Sequence, residues 1–210
     1  MTAVIAVAFG LTACLEKLPG DYIPEEDAMK TLSDAEQTLT GIYTAYMSGA
    51  LYSGYLTLCP DIQTDLVYAV QGNTNQYGTH WLWDIRSTNS EVEAVYAGLY
   101  RVIGRCNFYL DQVEELRSNL TDDVEIQYLD YYTGEVYCAR ALAYSELLKC
   151  FCKAYDPATA ESELGLVLAD SYFGDKPQTR ATLKASYDFV IGDLKKAEEL
   201  LDEENDYFDA

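Results

Sequence analysis

The chain has 210 residues, and its 35 acidic against 14 basic side chains give a formal charge of −21; it is long enough for a sizeable core and would repel a phosphate backbone. No basic patch interrupts the acidic background, which excludes nucleic acid as a partner. A single histidine, His80, excludes His-rich metal sites and leaves any histidine-based triad resting on one residue, so neither metal nor cofactor is expected.

Residues 4–11 form an apolar run too short to span a bilayer, followed directly by Leu11-Thr12-Ala13-Cys14. The spacing resembles the lipobox of bacterial lipoproteins. It predicts a signal peptide over 1–13, lipidation of Cys14 and a membrane anchor there, although no Lys or Arg precedes Lys17. Residues 14–32, with Pro19, Gly20, Pro24 and the acids Glu25, Glu26 and Asp27, read as a solvated tether to a domain over 33–210.

Ser33 and Glu36 have capping-box spacing, and Leu39, Ile42, Tyr43 and Tyr46 follow at helical intervals, predicting a helix over 34–50. Residues 51–90 carry Gly54, Pro60, Gly72 and Gly78, which disfavour long helices and leave room for a short one at 55–61. Ser90 and Glu93 open a helix over 91–117 on Val92, Tyr96, Leu99, Ile103, Leu110, Val113 and Leu116. Thr121, Asp122 and Asp123 cap the next, which runs to about residue 153 and whose Gly134, Ala139, Ala141 and Ala143 let a neighbour approach closely. It is the expected packing hub. After an irregular stretch from Pro157 to Pro177, extended near 164–168, Thr182 starts a last helix with Leu183, Tyr187, Val190, Ile191, Leu194 and Leu201 inward.

No alternating strand pattern is convincing, so the chain reads as all-α: tetratricopeptide-like helical hairpins with long irregular loops, without a clean 34-residue consensus. Besides Cys14 there are Cys59, Cys106, Cys138, Cys150 and Cys152, an odd set that argues against a closed disulfide framework. Cys150 and Cys152 diverge on a helix and cannot pair on a metal, so these thiols are expected mostly in the core.

The segment Gly134-Glu135-Val136-Tyr137-Cys138-Ala139-Arg140-Ala141-Leu142-Ala143-Tyr144 resembles the helix signature of the SusD/RagB family of nutrient-binding outer-membrane lipoproteins. Tyr96-Ala97-Gly98-Leu99-Tyr100-Arg101-Val102-Ile103 with Cys106-Asn107 is similar to the preceding helix of that family, though many members have tryptophan at the place of Tyr96. Arg180 onward, with Tyr187, Ile191, Asp193, Leu194, Ala197 and Leu201, is similar to the following tetratricopeptide helix. The resemblance implies a SusD-like fold, a lipid-anchored glycan binder on the outer membrane facing the cell exterior, and a TonB-dependent SusC-like transporter as partner. It also implies a longer chain, whose carboxy-terminal part supplies much of the ligand surface.

Sugars are held by flat aromatic faces flanked by planar polar groups. The segment 77–89 carries these types, and Tyr77, Trp81, Trp83, Arg86 and Asn89 are the candidate ligand-binding residues. Both tryptophans lie here, two residues apart, which in an extended segment places them on one face. Tyr77, between Asn75 and Gly78, is expected as the exposed ring. Trp81 and Trp83 could instead anchor the loop to the helices, Arg86 could pair with an acid, and Asn89 could serve a turn or cap. Asp61 with Asp65, and Asp122 with Asp123 and Glu125, lack an EF-hand pattern and read as solvated acids or caps. No nucleophile elbow or phosphate loop is present, and no catalytic residue is assigned. The second reading is a lipid-anchored helical-repeat scaffold for a protein partner, without glycan binding.

Overall fold

Thr31 starts the first helix, because its hydroxyl accepts the Asp34 N–H at 3.2 Å and the Asp34 carboxylate accepts the Thr31 N–H at 2.9 Å. The computed structural model describes residues 27–64, 66–174 and 179–201. The Cys14 lipobox with its signal, the tether through residue 26, Asp65, Pro177 and residues 202–210 lie outside the described residues. The described residues form six helices in order: α1 (Leu32–Tyr46), α2 (Tyr55–Ile62), α3 (Gly78–Trp81), α4 (Ser90–Asn119), α5 (Asp123–Phe151) and α6 (Leu183–Leu200). The described residues hold no strand, only an isolated antiparallel bridge between Leu164 and Thr182. The chain is all-α, as its periodicity predicts.

The Ser33–Glu36 box is not the one used. Asp34 also accepts from the Lys30 N–H at 3.2 Å and from the Thr31 hydroxyl at 2.8 Å, and the Thr31 hydrogen bond, despite some burial, holds its carboxyl below the ordinary value. Met29 is already buried in the core, ahead of the cap. Thr31→Ala is expected to lower stability by about 1 kcal/mol in urea unfolding, whereas Ser33→Ala, by the same measurement, leaves the midpoint in place.

α4 and α5 form a hairpin across a short turn, and α5 packs on α1, α4 and α6. At Gly134 of α5 a Cβ would come within 2.7 Å of the Leu201 side chain, so the small residue is what lets α6 close in. Along α6 the inward stripe is Leu183, Ser186, Val190, Asp193 and Ala197, while Ile191 and Leu194 are half exposed. Leu183, Tyr187 and Val190 lie on the face expected, and Ile191 and Leu194 do not. Two polar residues can sit inward because they have partners: the Ser186 hydroxyl accepts the Leu166 N–H at 2.9 Å, and Asp193 takes Arg140. Tyr96 of α4 likewise turns out to solvent, and Val95, Leu99, Val102 and Cys106 make the buried row.

Arg140 donates from Nε to Asp193 Oδ2 at 2.7 Å, from Nη2 to Asp193 Oδ1 at 2.8 Å, and from Nη1 to Asn107 Oδ1 at 2.7 Å. Asn107 in turn donates to the Ala169 carbonyl at 2.8 Å. Burial works against the guanidinium charge, but the hydrogen bonds and charge of Asp193 outweigh it and raise the Arg140 pKa above its ordinary value. One network therefore ties α4, α5, α6 and the segment leading away from Ala169.

The thiols divide differently from expectation: Cys59 and Cys106 are buried, Cys138 and Cys150 exposed, and Cys152 half-buried, all five free. Burial pushes the Cys106 thiol up to about 12. A thiol reagent at neutral pH is expected to modify Cys138 rapidly and Cys106 only on unfolding, which mass spectrometry of timed aliquots checks.

Candidate ligand-binding site

The loop between α2 and α4 is built on unusual backbone. Asn75, Tyr77 and Trp83 have φ of 58°, 60° and 59°, the only non-glycine residues with positive φ among those described. For bulky side chains this region is unfavourable and persists only where surroundings fix it. They do so here. Tyr77 packs edge-on against Tyr55 of α2 at 6.1 Å between ring centres, and His80 is buried beneath the turn. At Gly78 a Cβ would lie 2.2 Å from Asn75 Oδ1, so any larger residue would displace the Asn75 side chain. The Asp84 N–H donates to the Thr79 carbonyl at 2.8 Å and closes the turn.

The five candidate residues fall in this loop with altered roles. Trp81 is 47% and Trp83 69% exposed, so the rings do not anchor the loop. Nor is the segment extended: Trp81 ends α3 and Trp83 turns away in a left-handed conformation, so strand alternation does not relate them. Tyr77, expected as the exposed ring, is the half-buried one. Arg86 forks onto Asp84 through Nε and Nη2, both at 2.9 Å, at the exposed surface. Asn89 precedes α4 but does not cap it with its side chain. Its Oδ1 accepts the Arg86 N–H at 2.7 Å and its Nδ2 donates to the Thr79 hydroxyl at 3.0 Å, stapling α3 to the residue that precedes α4.

Among the described residues, clefts of about 590, 410 and 500 Å³ run along the helix layer, and none of these is lined by residues of this loop. Trp81 and Trp83 are exposed at the surface. The 410 Å³ cleft holds Asp111, Asp170 and Asp193, the place to look for a hydrolytic carboxylate pair. Asp193 is committed to Arg140, and Asp111 Oδ2 accepts the Ser171 hydroxyl at 2.8 Å and the N–H groups of Tyr172 and Phe173 at 2.7 and 3.0 Å. Asp122 is a helix cap, accepting the Val124 N–H at 2.8 Å. Among the described residues no group of three or more His, Cys, Asp or Glu is placed to hold a metal ion.

A family model described as SusD-like, starch-binding associating with outer membrane, matches residues 21–208. The chain belongs to the SusD-like family. Solved structures agree in fold. A protein from Bacteroides vulgatus provisionally named as sugar-binding is 26% identical with a TM-score of 0.67, over 83% of this chain and 38% of its own. A SusD homolog from Bacteroides thetaiotaomicron is 20% identical with a TM-score of 0.68, over 84% and 31%. A SusD superfamily protein from Bacteroides vulgatus is 21% identical with a TM-score of 0.68, over 84% and 39%. The chain thus spans 31–39% of the length of these relatives. No curated protein matches it.

Within this SusD-like fold, the segments that carried the sequence resemblance meet at one point, since Asn107, Arg140 and Asp193 are the three members of the buried network. Those signature residues are structural. The SusD-like loop, by contrast, depends on Tyr55 and Thr79, which sequence reasoning did not single out, and on Asp84, which it counted among the sugar-binding residue types of the segment 77–89 without assigning it to Arg86. Tyr55 and Thr79 carry no local signal of their roles.

Proposed function

We propose that the protein captures a glycan at the cell surface and passes it to a TonB-dependent SusC-like transporter, without chemistry on the ligand. In this reading residues 1–13 are the signal, Cys14 carries the lipid, residues 14–32 are the tether, and the domain over 33–210 stands on the outer face of the outer membrane. The observation that carries the glycan assignment is the exposed pair Trp81 and Trp83 on a loop held in left-handed backbone and stapled by Asn89. Exposed indole faces offer stacking to sugar C–H patches, and the Asp84–Arg86 fork beside them offers planar donors and acceptors for hydroxyls. The family description, starch-binding, and the sugar-binding name of one relative support the same class of ligand.

Affinity electrophoresis of the protein lacking residues 1–14, against plant, host and microbial polysaccharides, tests the proposal. Retardation in at least one gel is the expected result. A folded sample that migrates freely in all of them overturns glycan capture by this chain and favours a scaffold whose exposed loop residues meet a protein.

A further inference from the structure

The 590 Å³ cleft lies between α4 and the segment 169–173, with Gly104 on its floor and Tyr100, Tyr172 and Phe173 on its walls. Gly104 stands in the middle of a 30-residue helix, where glycine is a poor choice. No neighbour requires it, because a Cβ there meets nothing within 4 Å, whereas at Gly98 of the same helix a Cβ would touch Leu51 at 3.0 Å. Glycine at 104 leaves the floor of the cleft open.

The walls are preformed. Asp111 holds the Ser171 hydroxyl and the Tyr172 and Phe173 N–H groups, the Tyr144 hydroxyl accepts the Ala169 N–H at 2.8 Å, and Phe108 backs Tyr172 edge-on at 5.3 Å. Phe173 nonetheless stays 51% exposed beside the opening. Polar groups at the rim are already engaged: Asn107 bonds Arg140 and Ala169, and the Tyr100 hydroxyl donates to the Val167 carbonyl at 2.9 Å. A pyranose needs partners for its hydroxyls, and this surface offers mainly ring faces and edges. Asp111 and Asp170 line the adjoining cleft, and the chain carries a charge of −21, both unfavourable to an anion.

We infer that the Gly104 cleft is a binding site for a neutral aromatic ring, either a small phenolic molecule or the aromatic appendage of a larger ligand. It is separate from the tryptophan loop and does not depend on the glycan reading.

The test is titration of the ¹⁵N-labelled full chain with phenol, phenyl β-glucoside and methyl β-glucoside. Saturable amide shifts at Ile103, Gly104 and 171–173 with phenol and phenyl glucoside, and none with methyl glucoside, are expected. Shifts with phenyl glucoside alone support the appendage source. No saturable shift with either aromatic probe, or equal shifts with methyl glucoside, overturns the assignment. Gly104→Leu, which fills the floor, is expected to abolish the shifts with Tm unchanged or higher; retained binding in that variant overturns the site. Phe173→Ala, at a half-exposed wall position, provides a second variant whose fold is not at risk and should weaken binding at least fivefold. Trp83→Ala should leave these shifts unchanged.

Discussion

Arg140→Ala is expected to be the most damaging single substitution in the helical layer, lowering stability by about 3–5 kcal/mol. Whole domains of ordinary stability hold only about 5–15 kcal/mol. The reason is what remains behind. Asp193 and Arg140 are only 4% and 5% exposed at their side chains, so removing the guanidinium strands a carboxylate inside the protein and leaves Asn107 Oδ1 without its 2.7 Å donor. Arg140→Lys retains the charge but cannot reproduce the fork onto both Asp193 oxygens, so an intermediate loss is expected. The double variant Arg140→Met with Asp193→Leu leaves no buried charge and should lose less than Arg140→Ala alone, a sign of coupling that independent sites cannot give. Urea midpoints at constant slope measure all three. A loss below about 1 kcal/mol for Arg140→Ala would mean that water reaches the pair and that other contacts hold α6 to α5.

The sequence anticipates structure where the interaction is local. Thr182 accepts the Ala185 N–H at 3.1 Å and Asp122 caps α5, both readable from three or four consecutive residues. The start of α1 was misread: Ser33–Glu36 has capping-box spacing, but Thr31 and Asp34 form the reciprocal cap, with the Lys30 N–H as a further donor to Asp34. The inward face of α6 was not legible, since apolar periodicity cannot foresee that Ser186 and Asp193 find partners 20 and 53 residues away in sequence. The cysteines show the same limit: Cys138 lies on α5 between the buried Val136 and Ala139, yet faces out.

At the candidate site the residue types were legible and their roles were not. Tyr77 was expected outside and the tryptophans were given an extended backbone, whereas a four-residue helix and a left-handed turn invert the arrangement. Nothing local signals this, because the conformation is imposed by Tyr55 from one side and by Asn89 and Thr79 from the other. Asn89 is instructive: its type suits a helix cap, and it stands at the cap position, but its side chain closes the loop instead.

Replacing Trp83 by alanine should lower glycan affinity at least tenfold, about 1.4 kcal/mol, with Trp81→Ala close behind and the double variant unable to bind. An indole face covering on the order of 100 Å² of sugar contributes about 2.5 kcal/mol at ~25 cal/mol per Å², and aromatic anchors are the usual hot spots. Because both rings are exposed, the fold should not suffer. Trp83 permits a sharper control. Its φ of 59° is one that glycine adopts freely and alanine does not, so Trp83→Gly should be at least as stable as Trp83→Ala while binding equally poorly. Tyr77→Ala should behave otherwise, loosening the loop by removing the contact with Tyr55 and reducing affinity and thermal stability together. Arg86→Ala breaks an exposed ion pair, which contributes at most about 1 kcal/mol, so a large affinity loss there would mean that the guanidinium leaves Asp84 to meet the ligand. Isothermal titration with the polysaccharide that retards the parent chain separates these cases. If the tryptophan variants bind as the parent does, the sugar contacts lie elsewhere, and the left-handed turn at Trp83 must be explained by a different partner.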